Sequence, residues 1–157
     1  MNLWQNFEIK SGMENQGFSL HIQKGIAPAL RAKYLAFAKW LRTNYSFPVH
    51  INVYVINAEK ILLKNGNWAY GSFRWFPKRT PMIRVASAIE TELLQEYTLD
   101  ELHEQILSSL VHEITHYYQW ISKLEQSNAT SEHQANYFRY RIIEQYEMQT
   151  SDSKKIL

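Results

Sequence analysis

From Thr98 to about residue 123 the chain reads as one unbroken helix, and a helix of that length has to bury whichever face it makes apolar. Thr98-Leu-Asp-Glu101 has the form of a capping box, in which a hydroxyl and a carboxylate three residues on satisfy N–H groups left over at a helix start. On a helical wheel Ile106, Leu107, Leu110, Val111, Ile114, Tyr117, Tyr118 and Ile121 form one broad apolar arc. Gln105, Ser108, Ser109, His112, His116 and Gln119 lie opposite it. The expectation is a helix packed into the core on one side and lining a polar cleft on the other. The small serines one turn before His112 leave room beside the histidines. His103 falls with the apolar arc and reads as packing or helix-end chemistry, while His21 and His50 sit in strand-like segments without a spacing signal.

The rest of the chain supplies what this helix packs on. With 157 residues it has the length of one domain, here residues 1–149, followed by a polar tail at 150–157 expected to fray. Phe18, Leu20 and Ile22 alternate with polar residues as in a short strand. Pro28 suits a first helical position, and Leu30, Tyr34, Phe37 and Leu41 recur at helical spacing until Asn44 and Phe47-Pro48 stop the run. Val49, Ile51, Val53 and Val55 alternate with His50, Asn52 and Tyr54, the period-two signature of a half-buried strand. Strand-like runs at 61–64, 70–76 and 82–87 follow, separated by Asn65-Gly66-Asn67 and by Pro77 to Pro81, and read together as an antiparallel meander. A last helix is expected from about Ser131, where Ser131 and Gln134 have capping-box spacing. The fold class is α+β, a small antiparallel or mixed sheet packed with an N-terminal helix, a central helix and a C-terminal helix.

Composition narrows the chemistry. Cysteine is absent, so disulfides, thiolate zinc sites and cysteine nucleophiles are excluded, and any metal site must use histidine and carboxylate. The net charge is only +2, with basic residues scattered over Lys33, Lys39, Arg42, Lys78, Arg79, Arg139 and Arg141, so nucleic acid is not indicated as a partner. MNLWQNFEIK has neither a basic n-region nor an apolar h-region, and no membrane-length apolar run follows. A cytoplasmic protein is the expectation.

His112 and His116 are one turn apart on one helix face, separated by about 40° of rotation, so both imidazoles can reach one ion. Glu113 lies on the flank of that pair, where its carboxylate meets a water held by the ion without ligating it, as a general base must. Two histidines leave a zinc site incomplete, because catalytic sites commonly have three protein ligands and keep one position open. The next helix offers adjacent candidates in Glu132 and His133. They point about 100° apart, so only one of them can face the ion.

At this point the chain resembles a family, the gluzincin branch of zincin metallopeptidases, in which HExxH is followed on a second helix by a ligand glutamate and a small residue. Glu132-His-Gln-Ala135-Asn136-Tyr-Phe138 is similar to the E-x-x-A-N-x-F run of ImmA/IrrE-type minimal zincins, and the likeness covers roughly residues 82–144. The resemblance implies a minimal zincin domain with one zinc ion per chain. In it Glu132 is the third ligand, Ala135 lets the two helices approach, and Asn136 and Phe138 are structural. Only fifteen residues separate His116 from Glu132, which is short for that family, so the likeness is to a class. SprT-like zincins compete; they use a third histidine, here His133.

The expected activity is zinc-dependent hydrolysis of an amide bond in a peptide or protein substrate, with Glu113 as base. An oxyanion donor among Tyr117, Tyr118, Tyr137 and Tyr140 is not assigned. The strand at 82–87 is expected to be the exposed edge on which an extended peptide pairs. The rivals are a metal-binding regulatory or partner-binding module, for which retention of Glu113 has no use, and an SprT-like nucleic-acid-associated protease, which needs a basic patch near Lys78-Arg79.

Overall fold

The structure is a computed structural model that describes residues 2–9 and 17–156. Strand β1 (Phe18–Ile22), helix α1 (Pro28–Asn44) and strand β2 (Ile51–Ile56) come first. β1 and β2 pair in parallel from Phe18 opposite Ile51 to Ile22 opposite Val55, and a parallel pair needs the crossover that α1 provides. α1 starts on Pro28, whose fixed φ and missing N–H suit the first turn, and buries Leu30, Tyr34, Phe37, Ala38 and Leu41. β2 buries Ile51, Val53 and Val55, every second residue, as the alternation requires.

Strands β3 (Ile61–Leu62) and β4 (Trp68–Ala69) form a two-stranded antiparallel pair closed by a turn in which Gly66 takes a φ of 86°. β5 (Gly71–Phe76) and β6 (Arg79–Ala86) form a hairpin whose register shifts between Arg74 and Phe76, the irregularity at which the strand tolerates Pro81. The main sheet runs β1-β2-β6-β5. The meander expected from sequence is therefore replaced by a mixed sheet, because β6 pairs with β2 in parallel. Alternation fixes which side of a strand is buried but is silent on its neighbour and its direction. The segment 82–87 is correspondingly an interior strand, and the edge beside the helices is β5.

Helix α2 (Leu99–Ile121) opens with the expected capping box, Thr98 Oγ1 accepting from Glu101 N at 3.1 Å and Glu101 Oε1 from Thr98 N at 2.9 Å. Helix α3 (Asn128–Ile156) starts earlier than Ser131, since Ser127 Oγ already accepts from Thr130 N at 3.1 Å. Gln134 consequently faces α2 instead of closing a second capping box. The backbone of α3 continues through 150–156, most of the segment read as a tail. Among the described residues no helix is long and apolar enough to cross a membrane.

The core forms where α1, α2, α3 and one face of the sheet meet. Trp4, in a 3-10 turn at Trp4–Phe7, is fully enclosed there, edge-on to Tyr45 and Tyr118 with 5.0 Å between ring centroids in each case. Its indole N–H donates to Thr115 Oγ1 at 2.9 Å, which ties the N-terminus to the middle of α2. His103 is buried at the start of α2, with Lys33 Nζ 2.9 Å from its Nδ1 and no partner for its Nε2.

Candidate metal centre

The one-turn spacing of His112 and His116 brings their Nε2 atoms to 3.2 Å from each other, at the floor of a cleft of about 1270 Å³. Glu132 reaches the same point from the first turns of α3, its Oε2 3.1 Å from His112 Nε2 and its Oε1 2.9 Å from His116 Nε2. Ala135 is fully buried, as close approach of α2 and α3 requires. His133, the neighbouring candidate, is exposed and does not line the cleft.

These atoms are all Lewis bases, and three of them within hydrogen-bond distance of one another repel unless a proton or a cation lies between them. Four ligands at zinc-like distances stand about 3.3 Å apart around a tetrahedral ion, close to the separations here. The tautomer of His116 supports the same use. Gln119 Nε2 donates to Ser131 O at 3.1 Å and to Gln134 Oε1 at 2.8 Å, so its amide oxygen is the atom left facing His116 Nδ1, 2.8 Å away. Nδ1 therefore carries the proton and Nε2 directs its lone pair into the site. The Nδ1 of His112 is buried without a protein partner. Burial holds the His112 imidazole below the ordinary histidine range, helped by the neighbouring His116 and opposed by Glu132.

Glu113 is the other carboxylate at this point. His112, Glu113 and His116 each offer a ligand atom, all within 4.8 Å of one another, and the group is able to hold a metal ion. Glu132 lies nearer to both ring nitrogens than that envelope demands, which leaves two carboxylates with different surroundings. Glu132 is 57% exposed, whereas Glu113 is enclosed. Burial, and then the charge of Glu132, push the Glu113 pKa up to about 8, with Arg139 pulling the other way. The space for its side chain comes from β5. A Cβ placed on Gly71 would stand 3.0 Å from Glu113 Cγ and 3.2 Å from its Oε2, so any larger residue here would make the Glu113 side chain give by a few tenths of an ångström.

The serines before the histidines do more than leave room, because Ser108 Oγ accepts from Arg139 Nε at 2.8 Å and Ser109 Oγ from Arg139 Nη2 at 3.1 Å. Neither Tyr117 nor Tyr118 lines the cleft, and their hydroxyls donate to the carbonyls of Val49 and Ser46. The tyrosine that lines it is Tyr70, between β4 and β5. Sequence reasoning passed over Gly71, Tyr70 and Arg139, and placed Gln119 on the polar face without giving it a role. Only Gln119 and Arg139 carried a local signal, each lying on the same helix face as a histidine or Glu132. Comparison with protein-family models, curated proteins and solved structures finds no match for the chain.

Proposed function

We propose that the chain is a zinc-dependent metallohydrolase of the zincin type that cleaves amide bonds in peptides or proteins. His112, His116 and Glu132 hold one zinc ion, and Glu113 is the general base. The observation that carries this reading is the meeting of two imidazole Nε2 atoms and one carboxylate at a single point, with a second, enclosed carboxylate beside it. A purely structural site has no use for that second carboxylate.

Zinc held by His112, His116 and Glu132 would supply Lewis acidity. Glu113 would accept a proton from the attacking water and deliver it to the leaving nitrogen. A cation next to Glu113 favours its charged form and so offsets the burial that otherwise keeps it protonated. Gln119 keeps His116 in the ligating tautomer. The substrate chain lies along β5, the edge strand that borders the cleft with Gly71 to Trp75, pairing through main-chain hydrogen bonds.

The test is Glu113→Gln. The amide is nearly isosteric, so the variant should keep its zinc and its melting temperature while peptide hydrolysis falls about 10²- to 10⁴-fold. Release of zinc by the variant contradicts the role as base. Zinc-loaded wild type without activity on any peptide or protein shifts weight to the regulatory module.

A further inference from the structure

Arg139 lies seven residues after Glu132 on α3, two turns along and about 20° round, so both side chains leave the same face about 10 Å apart. Helical side chains lean toward the N-terminus, which carries the guanidinium back toward the histidines. Its Nε and one Nη2 hydrogen are taken by Ser108 and Ser109, which fixes the plane of the group. An arginine has five N–H donors, and these two bonds leave the end-on fork of Nη1 and Nη2 free. Among the described residues no carboxylate lies within ion-pair distance of it. The guanidinium is thus held by two serines and half-buried, with Glu113 and His112 close enough to feel its charge.

It also stands at a junction. A second cavity, of about 400 Å³, shares Tyr70, Ser109 and Arg139 with the metal cleft and continues between Ile89, Leu93 and Ile106. The charged residues lining it besides Arg139 are Glu59 and Glu90, of which Glu90 is engaged by Lys60 at 3.8 Å and Tyr70 at 3.3 Å. An acidic side chain entering this cavity meets like charge. An apolar side chain does not, and a carboxylate attached to the same carbon as that side chain remains at the mouth, beside Arg139, which lines both spaces.

Resting on the metallohydrolase reading above, we propose that Arg139 binds the free C-terminal carboxylate of a peptide whose last side chain is apolar, so that the cleft removes single residues from carboxyl ends. Water adds across the last amide bond. The carbonyl carbon gains the water oxygen, the C–N bond breaks, and Glu113 passes the proton to the departing nitrogen, leaving a shortened peptide carboxylate and a free apolar amino acid.

The probe is acetyl-Ala-Ala-Leu, titrated calorimetrically into zinc-loaded Glu113→Gln protein, which binds without turnover. Its C-terminal amide and acetyl-Ala-Ala-Glu-amide, whose sole carboxylate is on a side chain, serve as controls. The free acid should bind about ten-fold or more tightly than either control. Arg139→Gln should abolish the preference. Arg139→Lys, which keeps the charge but loses the fork, should reduce it, with zinc content unchanged in both. Equal binding of acid and amide, a preference that survives both substitutions, or failure of all three peptides to bind overturns the proposal. Equal binding of the glutamate amide overturns the terminal-carboxylate assignment. Zinc content, read on the same samples, separates the two ideas: a chain that takes no zinc contradicts the metallohydrolase, while the acid-to-amide ratio decides Arg139 with or without the ion.

Discussion

The two long sides of α2 treat their polar groups in opposite ways. On the core side Thr115 accepts from Trp4 and donates to the carbonyl of Val111 at 2.8 Å, and Tyr118 donates to Ser46 O at 3.1 Å, each donor meeting an acceptor. On the cleft side two ring nitrogens, of His112 and His116, and the Glu132 carboxylate crowd one point, and Glu113 is enclosed without a hydrogen-bonding partner that would hold it charged. The first arrangement lowers the energy of the folded chain by itself. The second needs a proton or a cation between its members, so stability and chemistry occupy different faces of one helix. Substitutions on the two faces should therefore move different observables.

The largest effect on folding belongs to the core face. Leu110→Ala empties a fully buried site and should cost about 2–5 kcal/mol in chemical denaturation, with zinc stoichiometry unchanged below the unfolding transition. A loss of zinc from protein that is still folded would mean that the two faces are coupled. Gln119→Leu tests the other face. Without the acceptor at Nδ1 the His116 tautomer is free, so zinc affinity should fall about 10- to 100-fold in a competition assay with a chelating dye. The metal-free protein should lose about 1–2 kcal/mol as well, because the amide's bonds to Ser131 O and Gln134 go with it, so affinity is read well below the unfolding transition.

A smaller effect is expected from pH at the start of α2. Burial, and then the ammonium of Lys33, hold His103 below the ordinary histidine range, while Asp100 opposes them. The unfolded chain takes up this proton first as the pH falls. The contribution of His103 is therefore complete above the unfolded value of about 6.5 and is lost progressively below it. Between pH 7.5 and 5.5 wild type should lose more stability than His103→Phe, measured as the difference between their denaturation midpoints in metal-free samples. Parallel slopes for the two proteins would remove His103 from the core-side ledger.

What was legible in the sequence divides along the same helix. The capping box at Thr98, the apolar arc and the side of the His112–His116 pair are local properties of a 3.6-residue period, and the structure has all three. Pro28 and the alternation through β2 were equally local. The parallel pairing of β6 with β2 was not, since it depends on which strand lies beside which, and the expected edge strand at 82–87 became an interior one for that reason. Trp4 meeting Thr115 across 111 residues, Gly71 making room for Glu113 and Arg139 settling on two serines are likewise products of packing between distant segments. The start of α3 at Asn128 is a local feature too, but Ser127 and Ser131 are both good caps, and only the structure shows Ser127 in that role.

The convergence of His112, His116 and Glu132 is tested most directly by calorimetric titration of zinc into metal-free protein, with Glu132→Ala and His133→Ala alongside the wild type. Wild type and His133→Ala should each take about one equivalent with similar affinity, and Glu132→Ala should bind far more weakly. No binding by the wild type, or loss of affinity on replacing His133 but not Glu132, would contradict the metal centre described here.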